Sequence, residues 1–246
     1  MNVKIEIEYD GTNYHGWQKQ KNSISIQEIM ENAIKKVLNE KVKLIGAGRT
    51  DAGVHAKGQV ANFHTNTKIP IEKLPYAINS QLPPDIVVKS ATIVPEDFHA
   101  RYSAKAKVYT YTIYNSKFPS PFYRYYSYFY PFQLDLKSMR EAASYIVGEH
   151  DFAAFKASNS SVKNTVRTVN SLEVIKLGDI IKIEVEANGF LYNMVRIIAG
   201  TLLNVGIGKI KPEEIVRIIE LKDRSRAGPT LPASGLCLEK VIYDEA

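Results

Sequence analysis

Val3, Ile5, Ile7 and Tyr9 are apolar, and the charged residues Lys4, Glu6 and Glu8 alternate with them. Successive side chains of a strand point to opposite faces, so this pattern predicts a half-buried strand, closed by an Asp10-Gly11 turn. Segments of this type recur along the chain with helical stretches between them. Ser25 opens a helix in which Glu28 completes a capping box and Ile26, Ile29, Met30, Ala33, Ile34, Val37 and Leu38 line one apolar face. A glycine-rich turn spans Gly46 to Gly53, and a strand follows near Gly58 to His64. Pro70 and Ile71 lead into a short helix to about Gln81, stopped by Pro83-Pro84, and Ile86 to Val94 reads as a strand.

In the second half, strands are predicted at Lys107 to Tyr114, Tyr125 to Tyr130, Val166 to Lys176, Ile180 to Ala187 and Leu236 to Tyr243. Helices are predicted from Asp135 to Val147, ended by Gly148, from about Phe190 to Gly206, and after Pro212, where Glu213 and Glu214 suit the helix dipole. Each half carries strands and helices in similar order. The expected fold class is α+β, two related subdomains with mostly antiparallel sheet, residues 1–104 and 105–246; one continuous mixed sheet is the alternative. The 246 residues suffice for one large or two small domains, each with its own core.

Composition narrows the function classes. One cysteine, Cys237, excludes an intramolecular disulfide framework and a four-cysteine zinc site, and its apolar strand makes it a small buried hydrophobe rather than a nucleophile. No segment has the pattern of a signal peptide or the length of a membrane span, so a soluble cytoplasmic protein is expected. The net charge of +6 suits a polyanionic partner without identifying one. The local distribution says more. Between Phe98 and Leu134 there is no acidic residue, and the window holds Arg101, Lys105, Lys107, Lys117 and Arg124 with 14 of the 25 aromatic residues. A second acid-free window, Phe152 to Leu172, carries Lys156, Lys163 and Arg167. Cations neutralise phosphates and aromatic faces stack on unpaired bases, a pairing that RNA recognition uses, although many of these rings also suit strand packing.

The densest chemical signal is Gly46-Ala47-Gly48-Arg49-Thr50-Asp51-Ala52-Gly53-Val54-His55-Ala56. Glycines permit tight or left-handed backbone around an Arg and an Asp two positions apart. Asp51 stands where a dinucleotide fingerprint needs its third glycine, and Gly208-Lys209 lacks the hydroxyl residue and first glycine of a P-loop. Neither HxxxH nor HExxH spacing occurs, so no metal site is expected. A turn-forming role for Asp51 alone competes with a catalytic one, and the flanking Arg49 and clustered glycines favour a site.

The run Gly48 to Ala56 resembles the signature of the TruA family of tRNA pseudouridine synthases. Tyr9-Asp10-Gly11-Thr12, Gly16-Trp17-Gln18, Lys107-Val108-Tyr109-Thr110-Tyr111, the segment Gly189 to Arg196 and Gly235-Leu236-Cys237-Leu238 resemble further family segments in the same order. The resemblance implies a continuous pseudouridine-synthase-type core with an active-site cleft between the subdomains. It implies isomerisation of tRNA uridine to pseudouridine at positions 38 to 40 of the anticodon stem-loop, by a homodimer, with no cofactor and no metal. By the same resemblance Asp51 is the catalytic carboxylate, Arg196 its cationic partner, Tyr109 the ring against the uracil, and Arg49 an RNA contact or a filler of the space that a flipped base vacates. Lys105, Lys107, Lys156, Lys163 and Arg167 are the further RNA contacts expected. A non-catalytic RNA-binding module would explain the basic and aromatic surface but not the Arg49/Asp51 turn; a metal-dependent nuclease is the third reading.

Overall fold

The computed structural model describes residues 1–157 and 162–244. In chain order its elements are β1 (Asn2–Tyr9), α1 (Ile26–Leu38), β2 (Ile45–Gly46), β3 (His55–His64), α2 (Leu74–Asn79), β4 (Ile86–Val94), β5 (Ala106–Asn115), β6 (Tyr128–Tyr130), α3 (Leu136–Ser144), β7 (Gly148–Asp151), β8 (Val166–Leu177), β9 (Ile180–Ala187), α4 (Met194–Gly206), α5 (Glu214–Leu221) and β10 (Leu236–Ile242), with short 3-10 turns between some of them. The class is α+β with mostly antiparallel pairing, as expected. The chain forms two compact units, one of Met1–Lys105 with the segment from Cys237 onward, the other Ala106–Leu236. The expected division placed Leu236–Tyr243 with residues 105–235. Here β10 instead runs parallel to β3, Cys237 beside His55 and Leu238 beside Ala56, and groups with the first unit.

In the first unit β1 lies between β3 and β4, antiparallel to both, and β2 adds to β3. The alternation of β1 works as its pattern requires: Val3, Ile5, Ile7 and Tyr9 are buried while Glu6 is exposed. Ser25 caps α1, its hydroxyl accepting the Glu28 N–H at 3.4 Å, and Ile26, Met30, Ala33 and Ile34 form the buried face.

In the second unit β5, β9, β8 and β7 follow one another as an antiparallel sheet, and β6 runs parallel to β5. α4 is apolar around most of its circumference and correspondingly buried, from Met194 and Val195 through Ile197, Ile198, Leu202 and Leu203. Two boundaries differ from expectation for identifiable reasons. α3 stops at Ser144, and Gly148, at φ +116°, opens β7 rather than capping the helix. α4 starts at Met194 and not near Phe190, because Asn193 sits at φ 60°, a left-handed conformation that no α-helix continues.

Candidate active site

In the first unit β2 and β3 frame the loop Ala47–Val54. Its start is tied by Ala47 N–H to the Val60 carbonyl (2.7 Å) and by Gln59 Nε2 to the Gly48 carbonyl (3.0 Å). A turn from the Asp51 carbonyl to the Val54 N–H (3.1 Å) closes it around Asp51. The segment after β1 forms its bed. Trp17 N–H donates to the Thr50 carbonyl at 3.0 Å, and Gly53 N–H donates to the Tyr14 carbonyl at 3.2 Å. The two backbones approach so closely that a Cβ on Gly16 would stand 2.3 Å from the Thr50 oxygen, and one on Gly11 2.0 Å from the Val54 oxygen. The buried Tyr9 hydroxyl meets Thr50 Oγ1 at 2.7 Å, and burial drives that phenol well above its ordinary pKa, so it stays a neutral hydrogen-bonding group. His55 is buried, its Nδ1 accepting the Gly11 N–H at 3.1 Å. The outcome is a half-buried Asp51 flanked by a buried Thr50, with Arg49 exposed.

The second unit carries the other two central candidates. Tyr109 is buried in β5 opposite Val185 of β9, with the Phe190 ring edge-on at 5.1 Å. Two residues on, and therefore on the same face of the strand, Tyr111 is fully buried and its hydroxyl donates to the Pro232 carbonyl at 2.9 Å. Burial raises the Tyr111 phenol pKa, and the positive charge of Arg196 partly opposes that rise, so the guanidinium acts on this face. Arg196 Nε donates to the Leu231 carbonyl at 2.7 Å and Nη1 to Asn193 Oδ1 at 2.8 Å. Asn193, Leu231 and Phe190 were not expected from sequence. Phe190 and Asn193 lie inside a segment already singled out, and an Asn three residues before an Arg was the available signal; a backbone carbonyl such as that of Leu231 leaves none.

The outlying basic residues differ in their surroundings. Exposed Lys105 pairs with Asp244 at 2.9 Å. Lys107 is half-buried in β5, opposite Ala187. Lys156 donates to the Val162 carbonyl at 3.2 Å, and Lys163 is exposed. Arg167 Nη1 donates to the Asn164 carbonyl at 3.1 Å, and burial lowers the pKa of its guanidinium. Within the window Phe152 to Leu172, residues 158–161 lie outside those described. The aromatic window separates into packed and displayed rings: Tyr109 and Tyr111 belong to the core, whereas Phe118, Phe122 and Phe132 are more than two-thirds exposed or close to it, at 68%, 85% and 67%. Arg124 lies over the Tyr125 ring at 4.2 Å and Lys117 over Phe118 at 5.3 Å. Burial pushes the Cys237 thiol up to about 12, with Glu239 adding to the rise, so the group is a poor nucleophile. Among the described residues no group of three or more His, Cys, Asp or Glu side chains is arranged to hold a metal, and no helix is long and apolar enough to cross a membrane.

Comparison with known proteins bears on this arrangement. A family model described as tRNA pseudouridine synthase matches residues 5–103 and 142–244. A protein of Thermoanaerobacter sp. (strain X514) called tRNA pseudouridine synthase A is 60% identical over 98% of this chain and 99% of its own length. The protein of that name from Acetivibrio thermocellus is 57% identical over the same shares, and that from Clostridium acetobutylicum 50%.

Proposed function

The chain belongs to the family of tRNA pseudouridine synthases, and from that premise we propose that Asp51 is its catalytic carboxylate, with Tyr109, Arg49 and Arg196 around the substrate base. The enzyme is an isomerase that converts uridine in tRNA to pseudouridine. The bond from ribose C1′ to uracil N1 breaks, the base turns, C5 joins C1′, and the proton lost from C5 is balanced by one gained at N1. A carboxylate serves this sequence as a nucleophile or as a base.

The observation that carries the assignment is the loop itself. Its backbone is fixed at both ends and from below, which holds a half-buried Asp51 in one place while leaving Arg49, two residues away, exposed to a polyanion. Tyr109 offers a buried ring for stacking and a hydroxyl suited to removing the C5 proton. In this reading Arg196 is the cation whose positive charge favours the ionised form of the catalytic carboxylate. A base inside a helical stack must be extruded at a cost of a few kcal/mol, which phosphate contacts and stacking offset. In our reading Arg49, Lys105, Lys107, Lys156, Lys163 and Arg167 supply phosphate contacts. Lys105 then exchanges Asp244 for phosphate. The family resemblance further supports positions 38 to 40 of the anticodon stem-loop as targets, a homodimer as the working form and a cytoplasmic setting. A non-catalytic RNA-binding module has lost its ground, since the family is one of enzymes.

Release of tritium from C5-labelled uridine in tRNA tests the assignment. Asp51→Asn is expected to abolish release while tRNA still binds. Release at the wild-type rate from that variant overturns it.

A further inference from the structure

We propose that Asn193, together with the chain segment 228–231, positions the Arg196 guanidinium for catalysis, an inference that rests on the role given to Arg196 above. Asparagine at the start of a helix ordinarily accepts a hydrogen bond from the first free backbone N–H groups. Asn193 does not: it makes no side-chain cap bond, and its Oδ1 accepts from Arg196 Nη1 at 2.8 Å instead. Its backbone sits at φ 60°, which places that acceptor one turn before the arginine and which few residues other than Asn and Gly tolerate.

The second hold comes from a different part of the chain. Leu231 and Arg196 exchange two bonds, Nε to the Leu231 carbonyl at 2.7 Å and Leu231 N–H to the Arg196 carbonyl at 3.3 Å. That segment is itself fixed on α4. The Gly228 N–H donates to Thr201 Oγ1 at 2.8 Å, and the contact with the helix is so close that a Cβ on Gly200 would stand 1.9 Å from the Pro229 oxygen. Arg224 also holds the segment, donating to the Gly228 carbonyl at 2.9 Å and to Thr230 Oγ1 at 3.2 Å. The guanidinium is a rigid planar fork. Two bonds from separate nitrogens to acceptors on separate segments set its plane, and with it the direction of every remaining donor. Lysine in the same place would have no such plane to set.

Asn193→Gly tests this, because glycine takes the left-handed backbone without strain and removes only the acceptor. The expected result is a fall in kcat on tRNA of about tenfold to a hundredfold, the scale of a small misplacement of a reacting group. KM and the thermal midpoint are expected to stay at wild-type values. Wild-type kcat in this variant overturns the inference, as does a loss that comes with a lowered midpoint and raised KM, which would mark a structural role only. Arg196→Ala is measured beside it. Wild-type turnover there removes the underlying role of Arg196, whereas an inactive Arg196→Ala with a fully active Asn193→Gly removes only the positioning role.

Discussion

The two units fix their candidate residues by opposite means. In the first, the backbone is held and the side chain follows: Asp51 sits on a loop clamped by Trp17, Tyr14, Gln59 and Val60, with glycines at the closest approaches. In the second, the side chain is held at its tip, with Arg196 bonded through Nε and Nη1. Side-chain length accounts for the difference. Aspartate has a short stem, so fixing its Cα nearly fixes its carboxylate. Arginine carries about 2 kcal/mol of rotamer entropy, and placing its backbone leaves the charge free to sweep several ångströms. A helix can therefore carry the arginine, but only hydrogen bonds to its head define where the charge acts.

The contrast can be broken most severely at Gly16. Gly16→Ala puts a methyl group where the Thr50 carbonyl lies, at a residue whose φ is +84°. We expect a loss of about 2–4 kcal/mol by chemical denaturation and a collapse of turnover beyond what the lost folded population explains, since the displaced peptide adjoins Asp51. Turnover that falls only with the folded fraction would mean that the loop's backbone does not place the carboxylate. A milder comparison removes one hydroxyl from each unit. Tyr111→Phe leaves the Pro232 carbonyl without its donor and should lower stability by about 1–2 kcal/mol. Tyr9→Phe, whose partner is the rotatable Thr50 hydroxyl, should cost about 1 kcal/mol or less. The reverse order in denaturant melts would contradict the assignment of partners. The smallest effect concerns β10. With its thiol pushed up to about 12, Cys237 has roughly one part in ten thousand as thiolate at pH 8. Native protein should resist iodoacetamide there and react once unfolded. Rapid labelling of native protein would show that β10 leaves the first unit readily.

Periodicity made much of this fold legible. β1 and β9 follow directly from alternation, and the Ser25 cap marks the turn where α1 begins. β7 was not legible, because Gly148-Glu149-His150-Asp151 has no strand pattern and becomes a strand only through its partner β8. The start of α4 was misplaced because a single left-handed residue overrides the apolar run around it. At the site, the Arg49/Asp51 turn stood out by its residues. The roles of Gly11 and Gly16 did not, since their need for a missing Cβ arises from chain that folds onto them from some forty residues away. Lys105 read as a free cation for RNA, and its pairing with Asp244 depends on a strand that returns from the far end of the sequence.

That return has a consequence for how the protein is made. The strand that completes the first unit, β10 beside β3, follows the whole of the second unit in sequence. As the chain leaves the ribosome, residues 1–105 emerge with the flank of β3 along His55–Ala56 uncovered, and they stay so while more than a hundred further residues are added. The loop that bears Asp51 leads directly into that stretch of β3. Closing so long a separation is entropically slow. The enzyme therefore acquires the finished support of the loop that bears Asp51 only after the second unit, which lies between them in sequence, has been synthesised.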